Sequence, residues 1–158
     1  MDNTSDLASA DHYAQVKALN VPGEDGDTLA VRARSHVTDN TQYRAWIEVR
    51  AGTDAWNSAK RVTGTDTTIG VETLVNLAAS DVIKIQADGS TITRYRNGSL
   101  QDTVTDTSIT GNLRTGVEVQ QTPGQRLDDF EAADLAAAVG QPFYIRDSHS
   151  DFLTGVQV

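Results

Sequence analysis

The chain has 158 residues, and 13 Lys and Arg against 22 Asp and Glu leave a formal charge of −9. That length suits one domain with a true hydrophobic core, and 38% hydrophobic with 22% charged residues is a globular composition. No apolar run approaches the roughly 20 residues of a membrane-spanning helix, the negative charge disfavours nucleic acid as a partner, and the lack of cysteine excludes disulfides, thiolate zinc sites and Cys nucleophiles.

The opening run Met1-Asp2-Asn3-Thr4-Ser5-Asp6 has neither the basic nor the apolar stretch of a secretory leader, so none is expected. Thr, Val and Ile supply roughly a quarter of the chain, the bias of pleated, half-buried surfaces. Ala14, Val16 and Ala18 alternate with Gln15 and Lys17, which predicts a first strand with one face in water. Pro22-Gly23-Glu24-Asp25-Gly26 breaks the chain before the next alternation, Leu29, Val31 and Ala33 against Ala30, Arg32 and Arg34. Thr38-Asp39-Asn40 turns it again into Tyr43, Ala45, Ile47 and Val49, which alternate with Arg44, Trp46, Glu48 and Arg50. Further strands are expected near 55–63, 67–75, 81–87, 91–96, 99–105, 113–120 and 126–133. Asn97-Gly98 tolerates positive φ at two successive positions and predicts a two-residue hairpin. The stretch from Asp128 to Val139 has a helical composition, although its start reads better as a strand, and Gly140-Gln141-Pro142 stops it. Many short strands at close spacing give an antiparallel sandwich or barrel.

The order of these pieces resembles the concanavalin A-like lectin/glucanase superfamily, and laminin-G-like jelly rolls within it. The pieces are Asp11-His12-Tyr13-Ala14-Gln15-Val16, Leu29-Ala30-Val31-Arg32-Ala33-Arg34, Tyr43-Arg44-Ala45-Trp46-Ile47, the run from Ser80 to Gly89, Tyr95-Arg96-Asn97-Gly98, Val104-Thr105-Asp106-Thr107-Ser108, and the closing Leu127-Asp128-Asp129-Phe130-Glu131. The resemblance implies an all-β, two-sheet antiparallel sandwich over 1–134, whose last strand pairs back near the start, followed by a C-terminal extension, 135–158. Only about ten polar residues precede Asp11, where such jelly rolls carry another strand. Either the fold is trimmed there, or an edge is open and covered by another chain or by the extension.

The hydrolases of the superfamily carry a Glu-x-Asp-x-Glu strand, which is absent here: Glu48 stands among arginines and Glu72 lacks acidic neighbours. His12, His36 and His149 form no triad or zinc motif and read as surface or strand-end residues. If a cofactor is held, calcium on Asp128 and Asp129, or in the loop of Asp25 and Asp27, is the expected one, against a reading of these acids as solvated. For a glycan ligand the candidates are Trp46, Trp56 and Tyr95 as stacking platforms, with Arg94 beside them. Arg94 and Arg96 also suit cross-strand ion pairs with Asp102 or Glu118. Phe143, Tyr144, Ile145, Phe152 and Leu153 give the extension an apolar character, either to fold back over the sandwich or to serve as an oligomerisation arm.

The resulting expectation is a non-catalytic structural or adhesive protein on a virion surface, a phage head-decoration or tail-associated protein. Its partners would be other virion proteins or sister subunits in a homo-oligomer. The alternative is a soluble, extracellular carbohydrate-binding module.

Overall fold

The structure, a computed structural model, describes residues 6–21, 25–36, 38–111, 113–120 and 126–135. These hold eleven strands and no helix: β1 (His12–Ala18), β2 (Thr28–His36), β3 (Thr41–Glu48), β4 (Asp54–Val62), β5 (Thr65–Thr68), β6 (Thr73–Val75), β7 (Val82–Asp88), β8 (Thr91–Arg96), β9 (Ser99–Thr105), β10 (Arg114–Gln120) and β11 (Leu127–Asp134). They form two antiparallel sheets. One is five-stranded, in the order β11-β1-β7-β8-β9; the other is six-stranded, in the order β10-β2-β3-β4-β5, with β6 also pairing β4. The closing strand β11 pairs β1, as the resemblance implies.

The period-2 alternation aims one set of side chains into the space between the sheets. Ala14, Val16 and Ala18 of β1 meet there with Ile83, Ile85 and Ala87 of β7, Leu29, Val31 and Ala33 of β2, Tyr43, Ala45 and Ile47 of β3, and Trp56 of β4. Tyr43 ends in a polar handle: its hydroxyl donates to Asp106 Oδ1 at 2.7 Å and accepts from the Ile109 N–H at 3.2 Å. The Asn97-Gly98 hairpin forms with φ of 50° and 77° at its two residues. Asn97 also clamps the turn, its Oδ1 accepting from Val82 N and its Nδ2 donating to Asp81 Oδ1.

Three features depart from the simple alternation. The strand expected over 67–75 is two strands, β5 and β6, parted at Gly70, whose φ is 76° and against which Asp102 and Val104 pack. A bulge between Ala33 and His36 carries Arg34 at φ 48° and turns it inward, where the alternation puts it in water. On the outer face of the six-stranded sheet, Ala30, Ala55 and Ala59 are fully buried. They lie in register beside long side chains, Ala30 between Glu118 and Trp46, Ala59 beside Arg44.

Candidate functional site

That outer face is ordered in rows by the register of its strands. Glu118, Ala30, Trp46 and Asn57 form one row across β10, β2, β3 and β4. Gly116, Arg32, Arg44, Ala59 and Thr68 form the next. On the other side of Trp46 run Gln120, Thr28, Glu48, Ala55 and Leu74. Alanines and a glycine make a low floor, and the half-buried Trp46 stands over it near the middle of the sheet.

Charge surrounds this ring and is internally balanced. The Arg44 guanidinium lies 4.8 Å from the Trp46 ring centre, a cation–π arrangement. Arg44 Nη1 donates to Asp66 Oδ2 at 3.1 Å, and Asp66 also takes two bonds from Arg61. Glu118 accepts from Arg32 at 2.5 Å and from Gln120 at 2.7 Å, with Arg44 3.9 Å away. Beyond Trp46, Arg50 bridges Glu48 at 3.0 Å and Glu72 at 2.9 Å, and Asn57 bonds Glu72. Arg32, Arg44, Arg50 and Arg61 are thus matched by Glu118, Asp66, Glu48 and Glu72. Arg44 Nε is buried with no hydrogen-bond partner among the described residues.

The carboxylates of this face are held in their charged form. Burial would raise the pKa values of Asp66 and Glu118, but the arginines around them outweigh it and hold both below the ordinary carboxylate range. The hydrogen bonds from Arg50 keep Glu72 low as well. A glycosidic general acid needs a carboxyl pushed upward. These three are pushed the other way.

The residues singled out from the sequence do not gather in one place. Trp46 stands on the outer face of the six-stranded sheet, Tyr95 on that of the five-stranded sheet. Trp56 is fully buried, in register with Ile47 on the inner face, so it offers no ring to a ligand. Arg94, only 1% exposed, is likewise internal: its guanidinium donates to the Trp56 and Val71 carbonyls at 2.8 and 2.7 Å and pairs Asp102 at 3.0 Å. The ion pair with Asp102 is one of those anticipated, whereas Arg96 takes Asp81 instead, at 2.6 Å. Asp128 and Asp129 are exposed neighbours on β11, and Asp129 lies 3.5 Å from Lys17. Among the described residues no group of three or more His, Cys, Asp or Glu is placed to hold a metal. Phe143, Tyr144, Ile145, Phe152 and Leu153 lie outside the described residues. His12, read as a strand-end residue, is completely buried. Arg32 and Asn57 were not singled out, although Arg32 occupies a polar position of the alternation.

No protein-family model matches the chain, and no curated protein matches it by sequence. Solved structures do match its shape. The carbohydrate-binding module CBM66 of Bacillus subtilis superposes with a TM-score of 0.62 at 14% identity, over 85% of this chain and 78% of the module. A Caenorhabditis elegans galectin, LEC-6, gives 0.58 at 12% identity, over 84% of this chain and 89% of its own. Sheep galectin-11, solved with glycerol, gives 0.55 at 13%, over 84% and 96%. The fold is a lectin-like jelly roll. At these identities the likeness is one of architecture, and residues carry any functional argument.

Proposed function

We propose that the chain is a carbohydrate-binding module that takes an uncharged glycan on the outer face of the six-stranded sheet. The observation that carries this reading is Trp46: a half-buried indole over an alanine floor, ringed by planar guanidinium, carboxylate and amide groups. An indole offers an apolar plane to sugar C–H bonds. Planar charged groups make the strongest hydrogen bonds to hydroxyls. Because the four arginines of the face are engaged by four carboxylates, Asp66 shared between Arg44 and Arg61 and Arg50 held by both Glu48 and Glu72, no net charge remains to select an anion. The carbohydrate-binding module and galectins of like fold support the same reading. A virion role draws no support from these likenesses.

The test is titration calorimetry against a panel of neutral oligosaccharides. Trp46→Ala is expected to weaken binding at least about tenfold, roughly 1.4 kcal/mol, while circular dichroism stays that of the parent. Unchanged affinity in Trp46→Ala, or no binding across the panel, overturns the proposal.

A further inference from the structure

The outer face of the five-stranded sheet carries a second arrangement, independent of Trp46. Lys84 stands on β7, the middle strand of that sheet, opposite Gln15 on one side and Tyr95 on the other. Its Nζ lies 3.9 Å from the centre of the Tyr13 ring and 5.4 Å from that of Tyr95, so two aromatic rings attend one ammonium. Burial lowers the Lys84 pKa, and the charge of Glu131 works against that shift.

Glu131 is already engaged: its carboxylate accepts from the Tyr13 hydroxyl and, at 2.9 Å, from Gln15 Nε2. No carboxylate among the described residues lies within salt-bridge distance of Lys84, whereas Lys17, Lys60 and the arginines around Trp46 all have one. Partial desolvation of an ammonium costs free energy, and an incoming anion offsets that cost. Leu100, the cross-strand partner of Tyr95, is 61% exposed and extends the apolar surface on the side of that ring away from the cation. Gln86, one position along from Lys84 in the face, is paired with Tyr13 and adds a planar amide. An ammonium, ring faces, an aliphatic strip and a side-chain amide together match a sugar bearing an acid group better than an extended acidic peptide, which has no flat C–H face to lay on the tyrosine.

We propose that this second face binds an anionic saccharide, with the acid group on Lys84 and the sugar ring against Tyr95 and Leu100. The experiment is amide-resolved NMR titration of the full chain with four probes: an oligogalacturonate, a heparin oligosaccharide, a neutral oligogalactose and polyglutamate. Shifts centred on β1, β7 and β8 with either acidic sugar are expected, and which of the two binds separates carboxylate from sulfate. Lys84→Gln and Tyr95→Ala should each weaken that binding at least about tenfold, and Glu131→Gln, which removes a nearby like charge, should tighten it. Trp46→Ala should leave it unchanged, so this proposal and the neutral-glycan reading can fail separately. Equal binding of oligogalactose or polyglutamate, wild-type affinity in both Lys84→Gln and Tyr95→Ala, loss in Trp46→Ala, or no binding of either acidic sugar overturns the proposal.

Discussion

His12 shows how one buried ring ties distant segments together. Its Nδ1 meets the Ser9 carbonyl at 2.9 Å, which requires a donor, and its Nε2 meets the Arg34 N–H at 2.9 Å, which requires an acceptor. Only the neutral imidazole satisfies both. A second proton would set two N–H groups against each other at the bulge of β2. Burial accordingly lowers its pKa; the hydrogen bond to Ser9 opposes this, Arg34 adds to it, and Asp134 and Asp11 oppose it. The unfolded chain, with the ordinary value of 6.5, takes up the proton first. Stability from this site is therefore complete above that value and declines as the pH falls below it. Thermal unfolding should show a midpoint drop between about pH 7.5 and 5.5 that His12→Gln flattens, since the amide keeps an acceptor for Arg34 without titrating. Trp56 gives a second expectation. Its truncation to Ala should cost about 3–5 kcal/mol in chemical denaturation, more than any effect on glycan binding, because its ring fills the core.

Strands and turns follow local chemistry closely. The expected strands form, apart from the one read over 67–75, which divides at Gly70, because branched residues at period 2 can bury one face only as strands. The hairpin at Asn97-Gly98 was readable from two adjacent residues that accept positive φ. Asn97→Ala should cost roughly 1–2 kcal/mol in denaturant titration, since it removes both clamps on Val82 and Asp81 and leaves a left-handed alanine. Gly70, by contrast, gave no local warning. A Cβ there would collide with Asp102 and stand 2.6 Å from Val104 Cγ2, with φ already at 76°. Gly70→Ala is expected to destabilise more than Gly89→Ala, where a Cβ has open space although φ is also positive. A differential scanning measurement on the pair separates packing from backbone strain.

The balance of charge sets how the assembled sandwich responds to acid. Asp66, Glu118, Asp81 and Asp106 all have pKa values below the ordinary carboxylate range. Burial opposes that direction in each, and the arginines, Lys60, hydroxyls and backbone N–H groups that they meet overcome it. Their contribution is present above the unfolded values of 3.8 and 4.5 and is lost as the pH falls through the lowered folded ones. Urea unfolding midpoints should hold steady from about pH 7 to 5 in the His12→Gln background and then fall steeply towards about pH 3. The two outer faces are expected to act separately, since they lie on opposite sides of one packed core.

Period, turn chemistry and composition were enough to establish an all-β chain and its strand order along the sequence, because those depend on neighbours a few residues apart; they left sandwich and barrel open, and the choice of a sandwich came from the family resemblance. Trp46 was marked as outward by the same rule. Whether a side chain at an outward position meets water depends on strands far away in the chain. The bulge that turns Arg34 inward, the carbonyls and Asp102 that make Arg94 an internal ion, and the register that sets Glu118, Arg32 and Asn57 around Trp46 are products of pairing between distant segments. So is the separation of Trp46 from Tyr95. Side-chain alternation tells in from out within one strand, but only the stacking of two sheets decides which outward faces look the same way.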